Sequence, residues 1–240
     1  MKDVIQKKLD MYNPKTSDDE ANALKEITQD VALYALYKSV FFQNANFIGG
    51  TSLRILHRVD RFSEDLAFSA TSKVIAKDFA LDAYLAESMV HMNAYGYDLS
   101  ISSSSKKQRD SNIQSHFLKD DSIKKILTFR HAVDLRSKIK IKVEIDINPP
   151  DHAIRRMEYL SFPVDFPIMT YDLSSLFAGK LHALLCRPYC KGRDLFDFLW
   201  YILNKIIPNY KMLAIALFQL GPWKGKKLLS IVFGPKASLV

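Results

Sequence analysis

FIGGTSLRILHRVDRFSEDLAFS, residues 47–69, reads as a strand, a glycine turn, a helix and a second strand carrying an acidic residue. Asn46–Ile48 is short and apolar and stops at Gly49-Gly50. Paired glycines allow backbone torsions and close approaches that a Cβ forbids. Thr51-Ser52 then open a helix with Leu53, Ile55 and Leu56 turned inward. A helix N-terminus behind glycines presents unpaired N–H groups, which suit a phosphate. Arg61 to Phe68 follows as a strand, with Asp65 beside the alternation of Leu66 and Phe68. Residues two apart in a strand share a face, so positions 65 and 67 point the same way. The stretch thus predicts phosphate-binding amides on one side and a carboxylate platform on the other.

Outward from it, the clearest strand is SKIKIKVEIDIN, Ser137–Asn148. Ile139, Ile141, Val143, Ile145 and Ile147 occupy one face; Lys138, Lys140, Lys142, Glu144 and Asp146 occupy the other. Pro149-Pro150 stop it. Upstream, residues 1–17 are polar and partly helical. Asp18-Asp19-Glu20 favour a helix start, and Leu24, Ile27, Val31, Tyr34 and Phe41 recur at helical spacing over Ala21–Phe42. Ser72 caps a helix to about Tyr95, with Ile75, Phe79, Leu81, Leu85, Met89 and Met92 buried, and Gly96 ends it.

Tyr97–Ser105 and Asn112–Leu118 read as strands around a charged turn of Lys106, Lys107, Arg109 and Asp110. Residues 120–136 are ambiguous, and a short strand is expected near Met157–Leu160. Asp172 caps the helix LSSLFAGKLHALLCR, and two more helices cover Arg193–Lys205 and Tyr210–Leu220. The expectation is an α/β (α+β) chain: a mixed sheet flanked by helices over residues 1–165, then a helical C-terminal region over 166–240.

Composition narrows the class. The chain has 240 residues, 48% apolar and 25% charged, as in ordinary globular proteins. No uncharged apolar run reaches about 18 residues, so no membrane span is expected. MKDVIQKKLDMYNPK lacks the apolar core of a secretory signal, which points to the cytoplasm. Cys186 and Cys190 have no second pair and read as free thiols, neither a disulfide framework nor a zinc knuckle. A net charge of +8 favours polyanions: nucleoside triphosphates, RNA or DNA. Walker A, GxGxxG, HExxH and G-x-S-x-G motifs are absent. His57, His131 and His182 have no spacing that supports a metal site or a triad.

Gly49, Gly50, Thr51 and Leu53, followed by Arg61, Ser63, Asp65, Leu66 and Phe68, resemble the AbiEii/AbiGii toxins of the nucleotidyltransferase superfamily, found in abortive-infection and type IV toxin–antitoxin systems. That signature is close to GGT-x-L, then R-x-S-x-D-[IL]-D-[FL]. A second block, L-x3-K then R-D-[LF]-[YF]-D-[LF], is similar to Leu176, Lys180, Arg193, Asp194, Leu195, Phe196, Asp197 and Phe198. GPWKG at 221–225 is similar to a late family segment, so the resemblance runs from about Phe47 to Gly225. The chain departs at one position: Ala67 stands where the family has the second Asp of its D-x-D pair.

The resemblance implies a nucleotidyltransferase-like fold and transfer of a nucleotide from an NTP, with Mg²⁺ or Mn²⁺, to a tRNA 3′ end, another RNA or a protein hydroxyl. It also implies a cognate antitoxin, and no membrane partner. Asp65 and Glu144, or Asp146 as the alternative, are the candidate metal ligands and catalytic carboxylates, with Ala67 in the expected third ligand position. Gly49, Gly50, Thr51 and Ser52 are the candidate phosphate site. Lys180 is a candidate for triphosphate or base, and Asp194 for orienting Lys180 or the acceptor.

Each has a plainer reading. Glu144 and Asp146 suit a solvated strand face, the glycines a tight turn, Lys180 a solvated helix charge. Asp194 suits a helix N-terminus beside Arg193, and Asp197 an i,i+4 pair with Arg193. Lys138, Lys140 and Lys142 either solvate the sheet or attract RNA. Ala67 itself predicts impaired transfer; an inactive nucleotide- or RNA-binding protein on the same fold is the competing expectation.

Overall fold

A computed structural model describes residues 2–72, 79–103, 113–120 and 122–225. The expected turn at Lys106–Asp110, Ile75 and the tail after Gly225 lie outside the described residues. The chain divides into two compact units, Met1–Pro149 with Met157–Thr170, and Pro150–Arg156 with Tyr171–Val240. The described residues contain no helix long and apolar enough to cross a membrane.

The first unit is built on a mixed sheet. Its strands are β1 (Ala45–Ile48), β2 (Asp65–Ala70), β3 (Leu99–Ser103), β4 (Ile113–Asp120), β5 (Ile139–Asp146), β6 (Arg155–Leu160) and β7 (Phe166–Tyr171), in the order β3-β4-β5-β2-β1-β7-β6 among the described residues. β5 runs parallel to β2, and β2 antiparallel to β1. β5 alternates as its sequence requires: Ile139, Ile141, Val143 and Ile145 are buried, and the residues between them are not.

The apolar face lies under α2 (Ser17–Lys38), with Leu24, Ile27 and Val31 in one core with Leu66, Phe68 and Val143. Thr16 and Asp19 close a capping box at the start of α2. Glu20 is not merely a first-turn charge: it is buried and accepts from the backbone N–H groups of Arg130 and His131, each at 2.8 Å. α1 (Lys2–Tyr12) precedes α2, and α4 (Leu81–Asn93) buries Leu81, Leu85 and Met92.

Three local expectations change. The helix after β1, α3 (Gly49–His57), begins at Gly49, so the glycines form its first turn. Gly49 has φ +83°, a torsion that favours glycine. β2 begins at Asp65 rather than Arg61. The preceding segment instead bonds through side chains: Arg61 Nη1 donates to Phe62 O at 3.1 Å and Gln29 Nε2 to Ser63 O at 2.8 Å. The ambiguous stretch holds a short helix, α5 (Ile123–Ile126), whose entry is tied down by the buried Asp120 carboxylate, 2.9 Å from Ile123 N.

β7 was not expected. Phe166–Tyr171 pairs parallel with β1, Phe47 opposite Thr170, and the Thr170 hydroxyl donates to Phe47 O at 2.6 Å. The first unit includes β7 as far as Thr170, while Pro150–Arg156, with the start of β6, and Tyr171 belong to the second. The second unit contains α6 (Leu173–Cys186), α7 (Gly192–Leu203) and α8 (Tyr210–Gln219). Asp172 caps α6 through Ser175 N at 2.8 Å, as its sequence predicts. Phe177 stacks on Tyr201 with ring centroids 4.4 Å apart, which joins α6 to α7.

Candidate functional site

The signature residues of the first unit brace one another. The Thr51 hydroxyl is buried, donates to Asp65 O, and lies 2.8 Å from Ser63 Oγ. It joins the first turn of α3 to the start of β2. Ser52 is also buried and donates to Gly49 O at 2.8 Å. The hydroxyls of both candidates are thus committed inside the turn; what the turn can offer a phosphate is its backbone N–H groups.

Both glycines are surrounded. A Cβ on Gly49 would stand 3.1 Å from that of Ala67, and one on Gly50 only 2.2 Å from Arg61 Nη2. Arg61 therefore lies against the turn. Sequence reasoning had read it only as a signature position, because a contact between residues 50 and 61 depends on the loop closing.

The strand register aligns the carboxylates. In the parallel β2/β5 pair Asp65 stands opposite Lys142, Ala67 opposite Glu144 and Ser69 opposite Asp146. Leu66, Phe68, Val143 and Ile145 are buried, so Asp65, Ala67, Glu144 and Asp146 share the other face. Ala67 is thus flanked by Glu144 on one side and, in the antiparallel β1/β2 pair, by Ile48 on the other. The Lys142 ammonium pairs with the Glu144 carboxylate. Asp146 accepts from Asn148 N at 2.8 Å.

Among the described residues no group of three or more His, Cys, Asp or Glu side chains could hold a metal ion. A carboxylate at 67 would have joined Asp65 and Glu144 on their shared face. Two carboxylates still fit a magnesium ion that also takes triphosphate and water oxygens; they do not fit a cage made of protein alone.

In the second unit Lys180 is not a solvated helix charge. Its side chain is 12% exposed, and its ammonium lies 2.9 Å from Asp194 Oδ1 and 2.7 Å from Asp197 Oδ2. Asp194 and Asp197 are buried, and Arg187 takes the second oxygen of Asp194. Burial raises the Asp194 carboxyl, but the Lys180 hydrogen bond and charge, with Arg187, outweigh it and hold the group below the usual carboxylate range. Burial, then the Asp197 charge, pushes the neighbouring Tyr201 phenol far up. Asp197, read from sequence as an intrahelical partner of Arg193, thus belongs to the lysine cluster. The i,i+3 spacing of 194 and 197 on one helix could have signalled it.

A family model described as "Nucleotidyl transferase AbiEii toxin, Type IV TA system" matches residues 31–236. Two solved structures from Helicobacter pylori are similar to this chain. JHP933 shares 18% identity at a TM-score of 0.48 over 73% of this chain and 65% of its own. A protein described as a candidate nucleotidyltransferase shares 18% identity at a TM-score of 0.47 over 86% of this chain and 81% of its own. The chain thus spans slightly less than two thirds of JHP933. No curated protein matches.

Proposed function

The chain belongs to the AbiEii nucleotidyltransferase toxins of type IV toxin–antitoxin systems, and on that premise we propose that it moves a nucleotide from an NTP to an RNA or protein acceptor. The observation that carries the reading is the meeting of the Gly49-Gly50 turn with a face bearing Asp65 and Glu144 on neighbouring parallel strands. The N–H groups that open α3 bind phosphate. Asp65 and Glu144 are the residues to hold a divalent cation, which supplies positive charge to the triphosphate. An acceptor hydroxyl oxygen bonds to the α-phosphorus, the bond to pyrophosphate breaks, and the hydroxyl proton passes to a nearby carboxylate or water.

Acceptors consistent with the net charge of +8 include a tRNA 3′ end. The role toward the triphosphate that the resemblance gives Lys180, with Asp194 positioning it, belongs to the same proposal. So do a cytoplasmic site of action and control by a cognate antitoxin.

Ala67 favours a second reading: a chain that binds nucleotide and transfers it poorly or not at all. The methyl removes one oxygen ligand beside Glu144, and Lys142 already neutralises that carboxylate. The test is incubation with each labelled NTP, Mg²⁺ and total tRNA or protein. Label in either acceptor supports transfer; saturable NTP binding without label supports the second reading; absence of both sinks the two together.

A further inference from the structure

A cleft of about 390 Å³ opens in the first unit between α1, α2, the C-terminal end of α3 and the loop after β6. It is separate from the glycine turn: α3 begins at Gly49, Arg58 caps its far end, and nine residues of helix span about 13 Å. Its volume falls within the range of small-molecule sites.

One wall is internally satisfied. Glu26 accepts from the Tyr12 hydroxyl and from Arg54 Nε, each at 2.9 Å. Asp30, one helical turn after Glu26, is not. It lines the cleft, and among the described residues nothing donates a hydrogen bond to it. It is half-buried, and its carboxyl is pushed up to about 7, first by burial and then by Glu26, against Lys8 and Arg54. A half-buried carboxylate that no protein group donates to is left for solvent or a ligand in the cleft to satisfy. Lys8 attracts Asp30 without contacting it, and its ammonium stands 5.0 Å from the centroid of Phe162. Arg58, exposed, also lines the cleft.

We propose that this cleft is a second ligand site that takes a guanine nucleotide, with Asp30 accepting from the N–H groups of the base, Lys8 donating to its carbonyl oxygen and Arg58 meeting its phosphate. Three features select this chemistry. A carboxylate with two free oxygens matches two parallel N–H donors. An ammonium beside it matches an adjacent carbonyl, a donor–acceptor edge that guanine has and adenine lacks. The Phe162 ring, with Ile55 and Leu160, supplies apolar surface for a flat base.

Calorimetric titration of the full chain with GMP and AMP tests it. GMP should bind saturably at pH 8, and AMP at least tenfold more weakly, because adenine turns a bare nitrogen toward the carboxylate. Asp30→Asn should lose at least tenfold in GMP affinity, Arg58→Ala less. Gly50→Val, altered at the turn, should bind GMP as wild type does, which separates this site from the proposed NTP site.

The charged and titratable groups around Asp30 are Lys8 and Tyr12 from α1, Glu26 on its own helix, Arg54 from α3, Arg58 at its C-terminal cap, and the buried Tyr97 before β3. Guanosine, which does not titrate between pH 6 and 8, should bind roughly tenfold more weakly at pH 6, following the ionised fraction of a carboxyl titrating at about 7. No saturable binding of GMP at pH 8, equal affinity for AMP, undiminished binding by Asp30→Asn, or a loss shared by Gly50→Val each overturns the proposal.

Discussion

Replacing Lys180 by Met keeps the apolar stem and removes one positive charge from between two carboxylates. Asp194 is 2% exposed and Asp197 0%, and the lysine ammonium lies within 2.9 Å of both. Arg187 still holds one oxygen of Asp194, so most of the loss falls on Asp197. Removing one member of a buried ion pair costs about 3–5 kcal/mol, because the remaining charge keeps its desolvation penalty. With Arg187 in place, about 3 kcal/mol at pH 7 is expected.

The pH dependence gives a second, independent signature. In the wild type Asp194 is held below its unfolded value, so its contribution is present above about pH 4 and lost as pH falls through the folded value. In the variant Asp194 loses the lysine, and its folded value rises. Protonation then restores stability as pH falls, and the two curves converge toward acid. Urea unfolding followed by tryptophan fluorescence reports on the right unit, since the chain has two tryptophans and both, Trp200 and Trp223, lie in the second. Adding Asp197→Asn to Lys180→Met should recover part of the loss. A variant within about 0.5 kcal/mol of wild type at pH 7, or a deficit that does not shrink toward acid, would refute the ion-cluster reasoning.

Ala67→Asp is expected to raise nucleotide transfer by orders of magnitude while leaving NTP affinity within a few-fold, read as label incorporated into tRNA and protein; equal transfer by both forms means that position 67 is outside the metal site. Gly50→Val should weaken NTP binding in a folded chain, because the new side chain displaces Arg61 from the turn; unchanged affinity by calorimetry removes the turn from the nucleotide site. Asp30→Asn should stabilise the first unit at pH 8. The raised carboxyl contributes stability below about pH 4 that is lost as pH rises through about 7, so ionised Asp30 works against the fold. The gain is expected between about 1 and 4 kcal/mol and should vanish near pH 4; a gain that does not depend on pH would show a packing effect instead. Thr16→Ala, which opens the capping box of α2, should cost about 1 kcal/mol in thermal or denaturant unfolding.

What the sequence by itself determined follows from local periodicity and local backbone chemistry. The unbroken alternation of β5, the helical spacing along α2, the Asp172 cap and the glycine pair before α3 are each encoded within about a dozen residues. The signature blocks around Asp65 and Asp194 are equally local, so family and fold class were legible before any contact was known. β7 was not, because FPIMTY is short, carries Pro167, and becomes a strand only when β1 pairs with it. Nor was the register that sets Ala67 beside Glu144, since two strands some seventy residues apart align through the packing of both their apolar faces. Tertiary structure alone decided the partners of the charges. Lys180 meets Asp194 and Asp197 across two helices, Arg61 folds onto Gly50, Glu20 receives the amides of residues 130 and 131, and Asp30 is left without a donor in its cleft. A charge seeks whichever partner the fold brings within about 3 Å, and sequence distance says nothing of which one that is.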